Sequence, residues 1–246
     1  MEVYLILSYN SCMRKHVSNK YLHLAKIFAK NGFTLYMVGG SARDYILGRD
    51  TTDLDLASDA LVEQAIEFLS SEFQISTPFQ RMGNLKMKLD DVRVDITTLR
   101  KEGDYSDSRH PRTIEFIKDI EIDSNRRDFT INSLYLDKGL DTIFDFHGGI
   151  DDLVGNRIRM IGDPLIRLAE DPLRILRALR FAVKLNFTID DTLDNAIRKS
   201  VCLLEKLNPS KVEEELRKLF AINEVRAHQI LTDYKLLSFS DYINEK

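Results

Sequence analysis

The sequence predicts an α/β half followed by an all-helical half. Up to about residue 160, short apolar segments of strand length alternate with amphipathic segments that carry the period of a helix. After the segment RMIGDP the strand patterns disappear, and helical periodicity continues with short breaks. We therefore expect two domains, at residues 1–160 and 161–246. The length of 246 residues and the hydrophobic content of 43% are sufficient for both.

The α/β prediction for the first half depends on the alternation of its elements. Runs with period 2 predict strands, and runs with period 3.6 that end at glycine predict helices. The predicted elements are a helix at 17–31 that stops at Gly32, strands at 33–40 and 52–58, a helix at 60–73, and a β-hairpin over 84–100 that turns at Asp90 and Asp91.

The remaining segments complete the predicted architecture. Residues 101–113 are polar and have no periodicity, which predicts a long mobile loop. Beyond residue 160 we expect helices at 164–184, 190–204, 210–221 and 223–236.

The composition argues against a secreted or membrane protein. Cys12 and Cys202 are far apart and stand in no metal-binding spacing, which favours a reducing compartment. The opening MEVYLILSYN is apolar for only a few residues and carries Glu2, so we expect neither a signal peptide nor a membrane segment. We therefore expect a cytoplasmic protein, and we infer no membrane partner and no stable protein partner.

The charge balance gives no support to a nucleic-acid partner, but the distribution of charge does. The net charge of −4 lacks the basic excess that is typical of proteins that bind phosphate backbones. The basic residues nevertheless cluster locally, in NRRDF and in LRILRALRF.

Three carboxylates are candidate metal ligands. Residues two apart in a strand point to the same face, so Asp53 and Asp55 project together while Leu54 and Leu56 point to the other side. A solvated Asp-x-Asp at a strand end is the alternative for this pair alone. Asp95, on the hairpin, is a third carboxylate on a strand that could lie beside the first. Oxygen ligands on neighbouring strands suit Mg²⁺, which takes further ligands from water and substrate phosphates.

A glycine pair precedes the aspartates. Gly39 and Gly40 follow an apolar strand, and a helix is expected to open near Ser41. Exposed N–H groups at such a helix start can hold a phosphate, and Arg43 can add a fork of donors to the same anion. The alternative is an ordinary strand-to-helix turn with a surface arginine.

Two arginine segments are candidate nucleotide contacts. NRRDFTINSLYLD places Arg126 and Arg127 before an apolar-periodic run. In EDPLRILRALRFA, Asp171 and Arg174 are expected to be neighbours on one helix, and together they could read the edge of a base. A solvated helix face with an internal salt bridge is the alternative. The full stripe comprises Asp171, Arg174, Arg177 and Arg180.

The order of these motifs resembles one family. The segments GGSARDYILGRDTTDLDL, DITTLR, RRDFTINSL, FDFHGGIDDL and EDPLRILRALRF are similar to those of class II tRNA nucleotidyltransferases, which comprise CCA-adding enzymes and bacterial poly(A) polymerases. The resemblance runs from about residue 36 to 183 and implies a polymerase-β-like palm (head) domain followed by a helical neck. Family members usually continue into further helical domains that grip tRNA. This sequence stops at Lys246, so we expect either a minimal form of the enzyme or a reduced grip on tRNA.

The resemblance also implies roles for single residues. It places Mg²⁺ on Asp53 and Asp55, with Asp95 as the third carboxylate. Triphosphate contacts are implied for the glycine turn (Gly39 and Gly40), Arg43 and Arg127. The base-reading pair is Asp171 and Arg174, with Arg177 and Arg180 lining the same pocket.

The implied function is template-independent addition of CMP and AMP, from CTP and ATP, to the 3′ end of tRNA. Narrower activities remain open, namely addition of the terminal A alone, of CC alone, or of a poly(A) tail. Relatives that add only CC are expected to have a defective loop between the third carboxylate and the arginine motif. Residues 101–113, which form this loop here, look intact, so addition of CC alone is disfavoured. A catalytically silent RNA-binding module is disfavoured because all three carboxylates are present.

Overall fold

The structure, a computed structural model, describes residues 2–5, 12–49, 51, 53–78, 80–103 and 113–240. These residues divide into two compact units. The first unit holds residues up to 103 together with 113–127 and 131–150, and the second holds 128–130 and 151–240. The first is α/β and the second is mainly helical, which confirms the predicted fold class.

The strands of the first unit, in chain order, are β1 (Glu2–Leu5), β2 (Leu35–Met37), β3 (Asp53–Ser58), β4 (Ile75–Ser76), β5 (Asn84–Leu89), β6 (Val92–Thr98), β7 (Arg100–Glu102), β8 (Ile114–Phe116), β9 (Tyr135–Leu136) and β10 (Thr142–Asp145). Within the described residues they form an eight-stranded sheet in the order β1-β10-β9-β2-β3-β6-β5-β4, and β7 pairs with β8 separately. The pairing of β3 with β6 is parallel, and the other pairings of the large sheet are antiparallel.

The predicted hairpin over residues 84–100 is confirmed as β5 and β6. Its two-residue turn places Asp90 at φ +54°, in the left-handed region that aspartate tolerates better than most residues. The Nζ atom of Lys20 lies 2.6 Å from a carboxylate oxygen of Asp90 and 3.1 Å from one of Asp91. The turn therefore carries a counter-ion supplied by a different element.

The helices, in chain order, are α1 (Cys12–Lys30), α2 (Gly39–Ile46), α3 (Val62–Leu69), α4 (Ile120–Asn125), α5 (Gly149–Val154), α6 (Pro164–Glu170), α7 (Leu173–Leu185), α8 (Asp191–Ser200), α9 (Pro209–Phe220) and α10 (Glu224–Asp233). Helix α1 fixes the sheet from one side through Tyr21, Leu24 and Phe28, all with no exposed surface. The hydroxyl of Tyr21 donates to the carbonyl of Leu35 in β2, at 2.8 Å.

The helix predicted at 164–184 is two helices, and that prediction was wrong. Pro172 disfavours the α conformation in the residue before it. Asp171 is accordingly extended, with φ −145° and ψ 94°, and it separates α6 from α7. The helix predicted at 190–204 ends at Ser200 and continues as a 3₁₀ segment, Val201–Lys206.

Two further expectations need correction. Strand structure does not stop at residue 160, because β11 (Arg157–Ile158) pairs in parallel with β12 (Thr188–Ile189). The loop predicted at 101–113 begins later, since Lys101 lies in β7 opposite Glu115 of β8. Residues 104–112 of that loop lie outside the described residues. In the part of the chain that the structure describes, no helix is both long and apolar enough to cross a membrane.

Candidate active site

The glycine turn holds the carboxylate of Asp55. The backbone N–H of Gly40 donates to Oδ2 of Asp55 at 3.1 Å. Gly39 has a φ of +61°, and a Cβ atom there would lie 3.2 Å from the same oxygen. The hydroxyl of Ser41 donates to the carbonyl of Asp53 and accepts from the N–H of Asp55. Helix α2 opens at Gly39, two residues before the expected Ser41. The turn therefore requires glycine both for its backbone conformation and for its closeness to Asp55.

The three carboxylates lie on the two strands that pair in parallel. Asp55 is the Cα partner of Asp95, and Asp53 is the partner of Arg93. Leu54 on the opposite face of β3 is fully buried. The predicted alternation along β3 is thus confirmed. The parallel pairing of β3 with β6 brings Asp95 beside Asp55.

Two of the carboxylates are paired with basic side chains. Nε and Nη2 of Arg93 donate to the two carboxylate oxygens of Asp53, at 2.7 and 3.2 Å. Nζ of Lys86, on β5, lies 2.6 Å from Oδ2 of Asp95. At least a third of each of these four side chains is exposed, so each pair contributes little to stability. Their effect is to balance the charge of the carboxylate cluster.

The third carboxylate, that of Asp55, is in an environment that disfavours its charged form. Burial raises the pKa of Asp55 above its ordinary range, and the neighbouring charge of Asp95 raises it further. The N–H of Gly40 and the charge of Arg127 oppose these effects in part. A cation bound between Asp55 and Asp95 would remove the repulsion.

The donor set fits a divalent cation. Oδ1 of Asp95 is buried and has no hydrogen-bond partner among the described residues. Such an oxygen costs free energy unless something binds it. Side-chain carboxylates are the ligands that Mg²⁺ prefers. As the side chains stand, no group of three or more His, Cys, Asp and Glu residues in the described ranges is arranged to hold a metal ion. The site would therefore need ligands from substrate or water.

Arg43 lies beneath the glycine turn and is almost fully buried, with 1% of its surface exposed. Its Nη1 donates to Oδ1 of Asn132 at 2.6 Å, and its Nε donates to Oδ1 of Asp44 at 2.8 Å. The sequence did not single out Asn132 or Asp44. The alternative of a surface arginine is wrong, because the guanidinium braces the turn from inside.

Arg127 belongs to a buried network of the first unit. Its Nε donates to the hydroxyl of Tyr135 at 2.8 Å, and its Nη2 donates to Oδ2 of Asp123 at 3.1 Å. The hydroxyl of Tyr135 donates to that same oxygen at 2.6 Å. Only 13% of the Arg127 side chain is exposed. The guanidinium is therefore held in one orientation by two partners.

In the second unit, Asp171 and Arg174 are not neighbours on one helix, and that prediction was wrong. Asp171 precedes α7, and its Oδ1 accepts from the backbone N–H of Leu173 at 3.2 Å. Arg174 is buried, and its Nη1 donates to the carbonyl of Arg167 and to Oε2 of Glu170. The two residues remain adjacent through a turn, because the N–H of Arg174 bonds to the carbonyl of Asp171.

The rest of the arginine stripe is not a solvated face. Arg177 forms a close ion pair with Asp128, and Arg180 donates to Oε2 of Glu215 at 2.9 Å. The guanidinium of Arg180 also lies 4.5 Å from the centre of the Phe181 ring. Each arginine thus has an acidic partner from another segment of the same unit.

Several residues that build the site escaped the sequence reasoning. Asp128 and Asn132 lie within the quoted segment RRDFTINSL, so their place in the motif was a usable signal. Tyr135 lies within the longer quoted segment NRRDFTINSLYLD and had the same signal, whereas Asp123 and Glu215 lie outside the quoted segments and carried none.

Comparison with protein families identifies the class. Residues 35–159 match the poly A polymerase head domain. The match covers slightly more than half of the 246 residues, and the chain therefore belongs to this family.

Proteins similar to this chain include CCA-adding enzymes. The enzyme of Lactococcus lactis subsp. cremoris (strain MG1363) is 37% identical over 199 residues, which are 80% of this chain and 49% of that protein. The enzyme of Staphylococcus haemolyticus is 35% identical over 216 residues, which are 87% of this chain and 52% of that protein. The chain thus spans about half the length of the curated relatives it matches.

Solved structures give the same picture. The CCA-adding enzyme of Bacillus stearothermophilus in complex with CTP is 28% identical, with a TM-score of 0.79 over 90% of this chain and 53% of that one. The Thermotoga maritima CCA-adding enzyme complexed with tRNA_CCA is 26% identical, with a TM-score of 0.71 over 91% of this chain and 52% of that one.

Proposed function

We propose that this protein adds CMP and AMP, from CTP and ATP, to the 3′ end of tRNA. The observation that carries the proposal is the parallel pairing of β3 with β6, which places Asp95 beside Asp55 under the glycine turn. The named relatives, all CCA-adding enzymes, support the choice of substrate. In the reaction, the 3′-oxygen of the RNA bonds to the α-phosphorus of the nucleotide, the α–β phosphoanhydride bond breaks, and pyrophosphate leaves.

Asp53 and Asp55 would hold Mg²⁺, with Asp95 as a further ligand or as the base. When bound, the metal supplies charge neutralisation on the triphosphate and a lower pKa for the attacking hydroxyl. Asp95 can accept the hydroxyl proton through Oδ1, which is buried and has no partner among the described residues. Gly40 and Arg43 keep Asp55 and its turn in place.

The remaining contacts divide between the two proposed domains. Arg127, in the proposed head domain at residues 1–160, binds the triphosphate beside the turn at Gly39 and Gly40, and the buried Arg43 supports that turn from beneath. The proposed neck at residues 161–246 carries Asp171 and Arg174 as the base-reading pair. Arg177 and Arg180 line the same pocket, and each is held in place by an acidic partner. A pocket that bonds an amino group and a ring nitrogen accepts cytosine and adenine, and leaves polar groups unpaired with uracil or guanine.

The test is extension of a labelled tRNA transcript that lacks its CCA end, with each nucleoside triphosphate alone and with CTP and ATP together. Full CCA addition requires C addition with CTP alone and a product three nucleotides longer with both. A terminal-A activity would extend only a transcript that ends in CC, and a poly(A) polymerase would make a ladder with ATP alone. No extension of any transcript, with RNA still bound, would identify a silent RNA-binding module and refute the proposal.

A further inference from the structure

A network of buried hydrogen bonds around Arg127 fixes the orientation of its guanidinium group. The network joins three segments of the first unit, at Arg100, at residues 123–127 and at Tyr135. Oδ2 of Asp123 accepts from Arg127 and from the hydroxyl of Tyr135. Oδ1 of Asp123 accepts from Nε of Arg126 at 2.8 Å and from the backbone N–H of Arg100 at 2.9 Å. One fully buried carboxylate thus receives four donors.

Tyr135 is the part of the network that fixes the angle of Arg127. The guanidinium carbon of Arg127 lies 4.8 Å from the centre of the Tyr135 ring, while Nε donates to the hydroxyl. A guanidinium held through a ring face and through Nε has little freedom to rotate. The hydroxyl in turn is fixed because it donates to Asp123 at 2.6 Å.

The electrostatics agree with this geometry. Burial alone would lower the pKa of Arg127, but Tyr135 and Asp123 outweigh burial and keep it above its ordinary value. Burial alone would raise the pKa of Asp123, yet Arg126 and Arg127 hold it well below its usual range. Arg127 and Asp123 therefore both stay ionised. The positive charge of Arg127 also acts on Asp55, where it offsets part of the rise in the pKa of that carboxyl.

We propose that Tyr135 and Asp123 are positioning residues that preset the guanidinium of Arg127 for a polyphosphate. The inference rests on the proposed function only for the identity of the phosphate donor. The anion is recognised by its phosphates and not by its base. The network therefore serves CTP, ATP and inorganic tripolyphosphate alike. Pre-orientation lowers the entropy that the arginine loses on binding, so its loss weakens affinity without removing the charge.

The test is Tyr135→Phe, which removes the hydroxyl and keeps the ring. We expect a rise of about five- to twentyfold in the KM for CTP and for ATP and in the Kd for tripolyphosphate, which corresponds to one charge-assisted hydrogen bond lost in part. The KM for tRNA should not change. Tyr36→Phe is the matched control, because the Tyr36 ring packs edge to face on Tyr135, with centroids 6.1 Å apart. This control should leave all three constants within twofold of the wild type.

A double-mutant cycle separates positioning from general structure. In an Arg127→Lys background the fork of donors is already gone, so Tyr135→Phe should add less than twofold to the Kd for tripolyphosphate. An equal effect of Tyr135→Phe in both backgrounds, or no effect in either, overturns the inference. If Tyr135→Phe fails to fold, Asp123→Glu provides the second route into the network, because it keeps the charge partner of the arginines and shifts the carboxylate that orients Arg127, with the same expectation.

The two proposals fail in different ways. If the wild type binds tripolyphosphate with the expected coupling but extends no tRNA, the proposed function is refuted and the positioning role stands. If the wild type extends tRNA and Tyr135→Phe behaves as the wild type, the function stands and the positioning role is refuted.

Discussion

Asp55 and Asp95 lie opposite each other on two parallel strands, and the charge of Asp95 raises the pKa of Asp55. Protein groups relieve this repulsion only in part. The N–H of Gly40 and the charge of Arg127 act on Asp55, while one buried oxygen of Asp95 has no partner in the described part of the chain. The pair therefore favours a bound cation over the empty state.

Replacement of Asp55 by Asn should separate stability from activity. The amide still accepts from the Gly40 N–H, and the repulsion with Asp95 disappears, so thermal stability in EDTA should rise or stay constant. Nucleotide addition should fall more than a hundredfold, because a charged metal ligand is lost. Melting temperature and single-turnover rate give the two readouts. Glu67→Gln on the exposed side of α3 removes the same charge elsewhere and should change neither. Near-normal turnover of folded Asp55→Asn would remove the metal site from the account.

The glycine turn allows a control with matched backbone strain. Gly39 and Gly48 both have left-handed φ, at +61° and +68°. A Cβ atom at Gly39 would meet the Asp55 carboxylate, whereas one at Gly48 would meet nothing within 4 Å. Alanine at either position should cost about 1–2 kcal/mol in the free energy of unfolding. Only Gly39→Ala should also lose catalysis, because it displaces Asp55. Urea unfolding measures the stability of each variant, and the rate of nucleotide addition measures its activity. Equal activity of the two variants at equal stability would show that the contact with Asp55 is unimportant.

The structure explains which sequence inferences succeeded. Strand alternation is a local property, so the face shared by Asp53 and Asp55 could be read from the sequence. The hairpin carrying Asp95 followed from two alternating runs around Asp90 and Asp91. Its parallel pairing with β3 could not follow from local patterns, because register between strands depends on contacts distant in the sequence.

The errors also have identifiable physical causes. A continuous helix through residue 171 was predicted because the leucine and arginine periods continue across Pro172, whose effect on its neighbour was overlooked. The arginine stripe looked like a solvated face because its partners, such as Asp128 and Glu215, lie elsewhere in the chain. Periodicity shows which residues share a face, and tertiary contacts decide what covers that face.

Acid should remove the contribution of Asp123. Its pKa lies below the ordinary value of about 3.9, so its contribution is complete above about pH 4 and is lost as the pH falls further. Asp123→Asn should cost about 3–5 kcal/mol at pH 7 because it leaves buried arginines without their charge partner. The difference in the free energy of unfolding between Asp123→Asn and the wild type should become smaller between pH 4 and pH 3. Urea unfolding at each pH measures it, with exposed Glu121→Gln on the same helix as the control. A difference independent of pH would mean that Asp123 acts through shape alone.

Base selection is expected to depend on Asp171. Asp171→Asn can still accept from the N–H of Leu173, so the start of α7 should remain stable. The carboxylate that we propose as the acceptor for the base amino group becomes an amide, and discrimination of CTP and ATP against UTP and GTP should fall about tenfold. Asp163→Asn is the control, since Oδ1 of Asp163 likewise accepts from the backbone N–H two residues further on, that of Leu165. The measurement is kcat/KM for each of the four nucleotides, from which the preference for CTP and ATP over UTP and GTP is calculated. Unchanged ratios in Asp171→Asn would assign base selection to other residues.

The central claim is transfer of nucleotides to the 3′ end of tRNA by the carboxylates of β3 and β6. The most direct measurement is the intact mass of a tRNA transcript lacking CCA, after incubation with the protein, Mg²⁺, CTP and ATP. The account predicts a gain equal to two CMP and one AMP residues with the wild type, and no gain with Asp53→Asn or Asp55→Asn. An unchanged RNA mass with folded wild-type protein, or the same gain with the carboxylate variants, would contradict it.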